Sequence, residues 1–127
     1  MKLAVDSNRV SDFFRGIAEV VEIFETAEIL FVPLIVIAEQ RAGFALGKNT
    51  DRNERLLTQF LSTNGVAVLA PDEQTTHHYA EIYASLRKRG KPIAMNDLWI
   101  ASLCVQHSVP LYTRDRDFEL IPRLARV

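Results

Sequence analysis

Short apolar runs alternate with amphipathic segments along this chain. Leu3-Ala4-Val5, Ile29-Leu30-Phe31-Val32, Val66-Ala67-Val68-Leu69 and Leu111-Tyr112-Thr113 are too short for helices and are bounded by Asp, Pro, Gly or basic residues, the pattern of strands, the first two of the buried type. Between them the apolar positions fall at helical spacing. Ile17 to Ala27 puts Ile17, Val20, Val21 and Phe24 on one face, leaving Glu19, Glu22 and Glu25 as a solvated one. A shorter helical turn over Ser11 to Arg15 precedes it, broken at Gly16. A helix from Leu34 to Leu46 is closed by Gly47, and another from Asp51 to Thr63 turns Leu56, Leu57, Phe60 and Leu61 inward. From Asp72 to Arg89 a longer helix carries Tyr79, Ile82, Tyr83 and Leu86 as core positions. Asn96-Asp97 then opens a segment, Leu98 to Val105, that is apolar on nearly every side of a helical wheel, so Asp97 begins a buried helix. This βα alternation predicts an α/β fold with a mainly parallel sheet, helices on both faces, and a possible last edge piece at Ala125-Arg126-Val127.

Length and composition narrow the picture. A chain of 127 residues, 48% hydrophobic, forms one domain, residues 1–127, around one core. A formal net charge of -1 gives no global basic field, so contact with nucleic acid has to come from local clusters. The single Cys104 excludes an internal disulfide and lies in the buried helix. Cys104 and His107 share a helical face, but without a second such pair they make a weak zinc signal, and the adjacent His77 and His78 diverge. The start MKLAVDS is too short an apolar run for a signal peptide, and Ile29 to Ala38, interrupted by Pro33, is too short to span a membrane; a soluble, cytoplasmic protein is expected.

The chemistry rests on the acids. In open α/β sheets the functional crevice lies beyond the C-terminal ends of the strands. That rule selects Asp6, which ends the first strand, and Asp115, which follows the last. Glu39 has Ile35, Val36, Ala42 and Gly43 as its helical neighbours, so its carboxylate is either a rim group with its head in water or one that must be paired, protonated or bound to a cation. Glu39 and Asp97 both lie on helices able to face the same mouth, whereas Asp12, Asp51, Asp72 and Glu81 are expected in solvent. Carboxylates that converge in one cleft repel one another unless some are protonated or a multivalent cation is present. Hard oxygen ligands without His or Cys suit Mg²⁺ or Mn²⁺, whose characteristic chemistry at phosphate is phosphodiester hydrolysis. The densest basic cluster, Arg87-Lys88-Arg89-Gly90-Lys91, precedes Asn96-Asp97. It reads both as a capped helix end and as a phosphate-guiding patch, together with Arg114 a candidate substrate contact.

Asp6-Ser7-Asn8, Glu39 in the helix after the second strand, Asn96-Asp97-Leu98-Trp99-Ile100-Ala101 and Thr113-Arg114-Asp115-Arg116-Asp117-Phe118 resemble, in order and spacing, the PIN domain. More narrowly they resemble the VapC-type toxins of toxin–antitoxin pairs. The resemblance covers essentially the whole chain and implies a three-layer α/β/α sandwich. It also implies a metal-dependent endoribonuclease that a small VapB-type antitoxin holds inactive. Position by position, Asp6, Glu39, Asp97 and Asp115 match the family's acidic quartet for Mg²⁺ or Mn²⁺, Thr113 its hydroxyl residue and Asn8 its polar residue after the first acid. Asp117 is a possible further contributor. Ser7 stands where the family usually has threonine, and Arg9, at a position usually apolar, is expected to touch RNA or an antitoxin acid. The resemblance further implies a homodimer, a basic antitoxin tail near the acids, and DNA binding only through the antitoxin. Two rival readings remain: a catalytically weak PIN-like regulator whose acids dock a basic peptide, and a phosphatase or receiver-like domain using Asp6.

Overall fold

The computed structural model describes all 127 residues. The chain runs β1 (Lys2–Val5), α1 (Ser7–Phe14), α2 (Ala18–Thr26), β2 (Ile29–Pro33), α3 (Leu34–Leu46), α4 (Thr50–Leu61), β3 (Val66–Leu69), α5 (Glu73–Lys88), α6 (Met95–His107) and β4 (Leu111–Tyr112), then a 3₁₀ helix over Arg116–Leu120. The strands form one sheet in the order β3-β2-β1-β4, every pairing parallel, and the helices cover it as a three-layer α/β/α sandwich. The fully apolar β1 takes an interior position, where Leu3, Ala4 and Val5 have no solvent exposure. The expected edge piece is reduced to a single bridge between Leu111 and Arg126.

Local chemistry explains where the helices begin and end. Asp6 caps α1, which starts earlier than the apolar periodicity suggested because Ser7, Asn8 and Arg9 are polar positions recruited by that cap. Pro33, with its fixed φ and missing N–H, closes β2 and opens α3. A reciprocal capping box between Asp72 and Thr75 starts α5, and Gly90, at φ +67°, gives the left-handed turn that ends it. Phe13, Phe24 and Phe60 stack with centroids 4.7–5.8 Å apart, locking α1, α2 and α4 together. α5 packs lengthwise on α6, the helix predicted to be buried, in which Leu98 and Ile100 to Cys104 are all inside. No helix is long and apolar enough to cross a membrane.

An acidic centre at the ends of the strands

The parallel register of β1 and β4 builds the site. Ala4 lies opposite Leu111 and Val5 opposite Tyr112, so the next residues, Asp6 and Thr113, leave the sheet side by side. The Thr113 hydroxyl donates to Asp6 Oδ2 at 2.7 Å and accepts from the Asp115 amide at 3.0 Å. Asn8 spans the same two elements, donating to Asp6 Oδ2 at 3.2 Å and accepting from the Arg114 amide at 3.4 Å. Asp6 also accepts from the Ser7 amide at 2.7 Å, so most of its lone pairs are committed inside the protein. Asp115 in turn accepts from the Asp117 amide at 2.9 Å, an Asx turn that starts the 3₁₀ helix and brings both carboxylates to one side.

α6 brings Asp97 to the same place. One carboxylate oxygen from each of Asp97, Asp115 and Asp117 lies within 4.8 Å of the others. Asp6 stands behind this trio, 5% exposed, and Glu39 reaches it from α3. Burial, then the charge of Asp6, raises the carboxyl of Glu39, with a hydrogen bond from Asn96 opposing them. The Oε1 atom of Glu39 is buried without a hydrogen-bond partner. Burial also raises Asp6, against the hydrogen bond from Thr113. Asp97 is pushed up to about 7, first by burial and then by the charges of Asp6, Asp115, Glu39 and Asp117. These observations fit a divalent cation: the donors are hard oxygens, they converge, they repel one another, and one buried oxygen is orphaned.

Of the acids singled out in the sequence, Asp97 and Asp115 join Asp117 in the tight trio, while Asp6 and Glu39 lie outside it, near enough for their charges to raise Asp97. Asp117, two residues past Asp115, belongs to the tightest trio, while Asp6 is the hydrogen-bonded post on which the Thr113–Asp117 loop is hung. The sequence signal for Asp117 was only its place two residues after Asp115; it is the Asx turn, with Asp115 accepting from the Asp117 amide, that brings the two carboxylates together. Nothing in the periodicity of α1 marked Asp6 as the more enclosed group.

Other residues depart from expectation. Asp12, expected in solvent, is 6% exposed and holds Arg114 through two hydrogen bonds of 3.1 and 3.2 Å, with Arg9 at 3.4 Å and Arg15 at 3.9 Å. Burial pushes its carboxyl up, but Arg114, Arg9 and Arg15 outweigh it and the net shift is downward. The side chain of Arg114, a candidate for substrate, is thus engaged with α1. Arg9, expected to touch RNA or an antitoxin acid, is turned inward, its guanidinium 4.4 Å from the Tyr112 ring centroid, so its stem packs on the core. In the basic cluster, Arg89 donates to the Leu120 carbonyl at 2.6 Å and Arg87 to the Tyr83 hydroxyl at 3.1 Å, whereas Lys88 and Lys91 are exposed at the α5 end that leads into α6. A polar group invisible to pattern reading is Gln40, buried beside Glu39. Its Nε2 donates to the Ser7 carbonyl at 3.1 Å and lies 2.9 Å and 3.1 Å from the Ser7 and Ser11 hydroxyls, tying α3 to α1.

Residues 3–124 match the PIN domain family. Ribonuclease VapC1 of Haemophilus influenzae strain R2866 is 34% identical over 96 residues, covering 75% of this chain and 70% of that protein. A solved structure of VapBC-1 from nontypeable Haemophilus influenzae superposes with a TM-score of 0.88 at 26% identity, covering all of this chain and 97% of that one. The DNA-bound VapBC of Salmonella typhimurium shares the fold, with a TM-score of 0.90 at 24% identity over all of this chain and 97% of that one.

Proposed function

This chain belongs to the PIN-domain family, among the VapC-type toxins of type II toxin–antitoxin systems, and from that premise we propose that it is an Mg²⁺- or Mn²⁺-dependent endoribonuclease restrained by a cognate antitoxin. The observation that carries the reading is the convergence of Asp97, Asp115 and Asp117 within 4.8 Å, backed by Asp6 and by the orphaned oxygen of Glu39. Asp97, Asp115 and Asp117 would hold the ion, with Asp6 and Glu39 behind them. Bound there, a divalent cation supplies charge neutralisation at the phosphoryl group and lowers the pKa of an attacking water.

The chain's own groups do the positioning. Thr113 and Asn8 fix the distance between the α1 start and the Asp115–Asp117 loop through Asp6. The carboxyl of Asp97, pushed up to about 7, is able to hold a proton near neutral pH or release it when charge arrives, and burial and the charge of Asp6 raise Glu39 in the same direction. Lys88 and Lys91, exposed where α5 hands over to α6, offer a path for the phosphate backbone towards an otherwise acidic mouth. The regulator carries no such requirement for ion affinity, and the relatives named as ribonucleases favour the enzyme. Partnership with an antitoxin, homodimer formation, and DNA binding only through the antitoxin belong to the same reading, supported by relatives solved as VapBC pairs.

The test is cleavage of total RNA by the purified chain in Mn²⁺, in EDTA, and as Asp97→Asn and Asp115→Asn. Cleavage in Mn²⁺ alone, lost in both variants, is expected. Equal cleavage by the variants in EDTA would overturn the mechanism.

A further inference from the structure

Where α5 hands over to α6, the two helices part to leave a cavity of about 270 Å³ lined by Tyr83, Arg87, Pro92, Ile93, Met95 and Leu98. Met95 and Leu98 lie one helical turn apart on one face of the start of α6, and Asp97 lies between them in the chain on a different face, so the cavity and the acid are separated by the width of that first turn. We propose that this groove binds an unpaired nucleobase of the RNA whose backbone is cut at the acidic centre, making the enzyme's substrate single-stranded at that nucleotide. The inference rests on the nuclease reading and deepens it by naming a base subsite.

The walls have the chemistry of a stacking platform. Tyr83 is 43% exposed and Met95 67% exposed, large apolar side chains left in water next to a charged site. Arg87 donates to the Tyr83 hydroxyl at 3.1 Å with its guanidinium 5.4 Å from the ring centroid, so a flat cation and a flat ring are held together before any ligand arrives. Tyr83 is in turn within 10° of parallel to Tyr79 at 6.4 Å, and Tyr79 packs against Trp99 at 4.5 Å. This ladder fixes Tyr83 from behind and reduces the entropy lost when a base settles on it. Bases stack on aromatic rings and guanidinium planes, with apolar side chains beneath them.

Charge selects the occupant. Arg87 is the cation that lines the groove, and Lys88 and Lys91, both exposed, lie close to it in the chain, whereas Arg89 is turned to the Leu120 carbonyl. A basic antitoxin tail meets repulsion there and attraction at the acids instead. A second copy of the chain would set the same cations against one another. A nucleotide suits both parts, since its base takes the apolar floor and its phosphates take the lysines. The cavity is also the size for a single planar ring system rather than a drug-sized ligand.

The experiment compares two labelled strands of equal length by fluorescence anisotropy in Ca²⁺ buffer: an unstructured mixed-sequence RNA and its fully abasic ribose-phosphate counterpart. Wild type should bind the base-bearing strand at least about 5- to 150-fold more tightly, the span of one base–aromatic stack. Tyr83→Ala and Met95→Ala should each shrink that preference while leaving the affinity for the abasic strand unchanged; thermal melts confirm folding, and Met95 is too exposed for its truncation to unfold the chain. No preference in wild type, or an undiminished one in both variants, overturns the proposal. So does a dimer that falls to monomers in either variant, measured by light scattering, because the groove is then an interface between copies. The two readings fail separately. RNA cleavage without base preference removes the groove and keeps the nuclease, whereas base preference without cleavage keeps a nucleic-acid site and removes the nuclease.

Discussion

Replacing Asp97 by Asn should make the metal-free protein more stable, although it removes an acid from the proposed ion site. Every influence on this carboxyl, burial and four neighbouring acids, disfavours its charged form and carries it from an ordinary 3.8 to about 7. At ~1.4 kcal/mol for each tenfold in protonation, ionising it in the fold costs about 4 kcal/mol more than in the unfolded chain. The sign follows from proton binding. Between the unfolded and folded pKa values the native state holds a proton that the unfolded state has lost, so stability declines as pH rises through that interval and levels off above about 7. Asparagine mimics the protonated group at every pH. The variant should therefore match wild type near pH 4 and exceed it increasingly up to pH 7, with about 4 kcal/mol as the ceiling, because neighbouring acids take up part of the strain when Asp97 ionises. Urea unfolding in EDTA followed by the fluorescence of Trp99, the one tryptophan, reads this directly. Adding Mn²⁺ should reverse the order, stabilising wild type more than the variant. A metal-free Asp97→Asn protein less stable than wild type at about pH 8 would refute the reasoning, since the acid would then be held by favourable contacts rather than by an arrangement awaiting a cation.

Further outcomes follow from the same geometry. Because a cation must displace the proton on Asp97, Mn²⁺ affinity measured by calorimetry should fall as pH drops below about 7, by up to tenfold per pH unit, and stay flat above it; a flat profile throughout would remove Asp97 from the ion site. Asp12→Ala frees Arg114 and leaves Arg9 and Arg15 without their shared anion; a loss of about 2 kcal/mol is expected in urea unfolding near neutral pH. The stability that Asp12 contributes is present above its unfolded pKa and lost as pH falls below about 4, since its folded pKa is depressed. An Asp12→Ala protein as stable as wild type at neutral pH would show that the pair contributes nothing.

Much of this protein is local. The apolar runs at Leu3–Val5 and Ile29–Val32 became inner strands that hide most of both faces, Val66–Leu69 became an edge strand with Val68 left exposed, and α6 became the buried helix because its wheel offers no broad polar side. The rule that function gathers beyond the strand ends needed only the order of elements, so Asp6 and Asp115 could be selected before any contact was known.

Partnership between distant side chains is another matter. That Asp12 sits inside with three arginines while Asp117 joins Asp97 and Asp115 depends on which strand lies beside which, and in what register. Val5 opposite Tyr112 is a pairing across more than a hundred residues, set by the packing of the whole sheet, and no periodicity within α1 or the Thr113–Asp117 loop encodes it. The sequence by itself determined the elements and the supply of acids at their ends; only the tertiary structure decided which carboxylates share a cation's reach and which are spent holding the frame, because electrostatic repulsion and desolvation act through space and not along the chain.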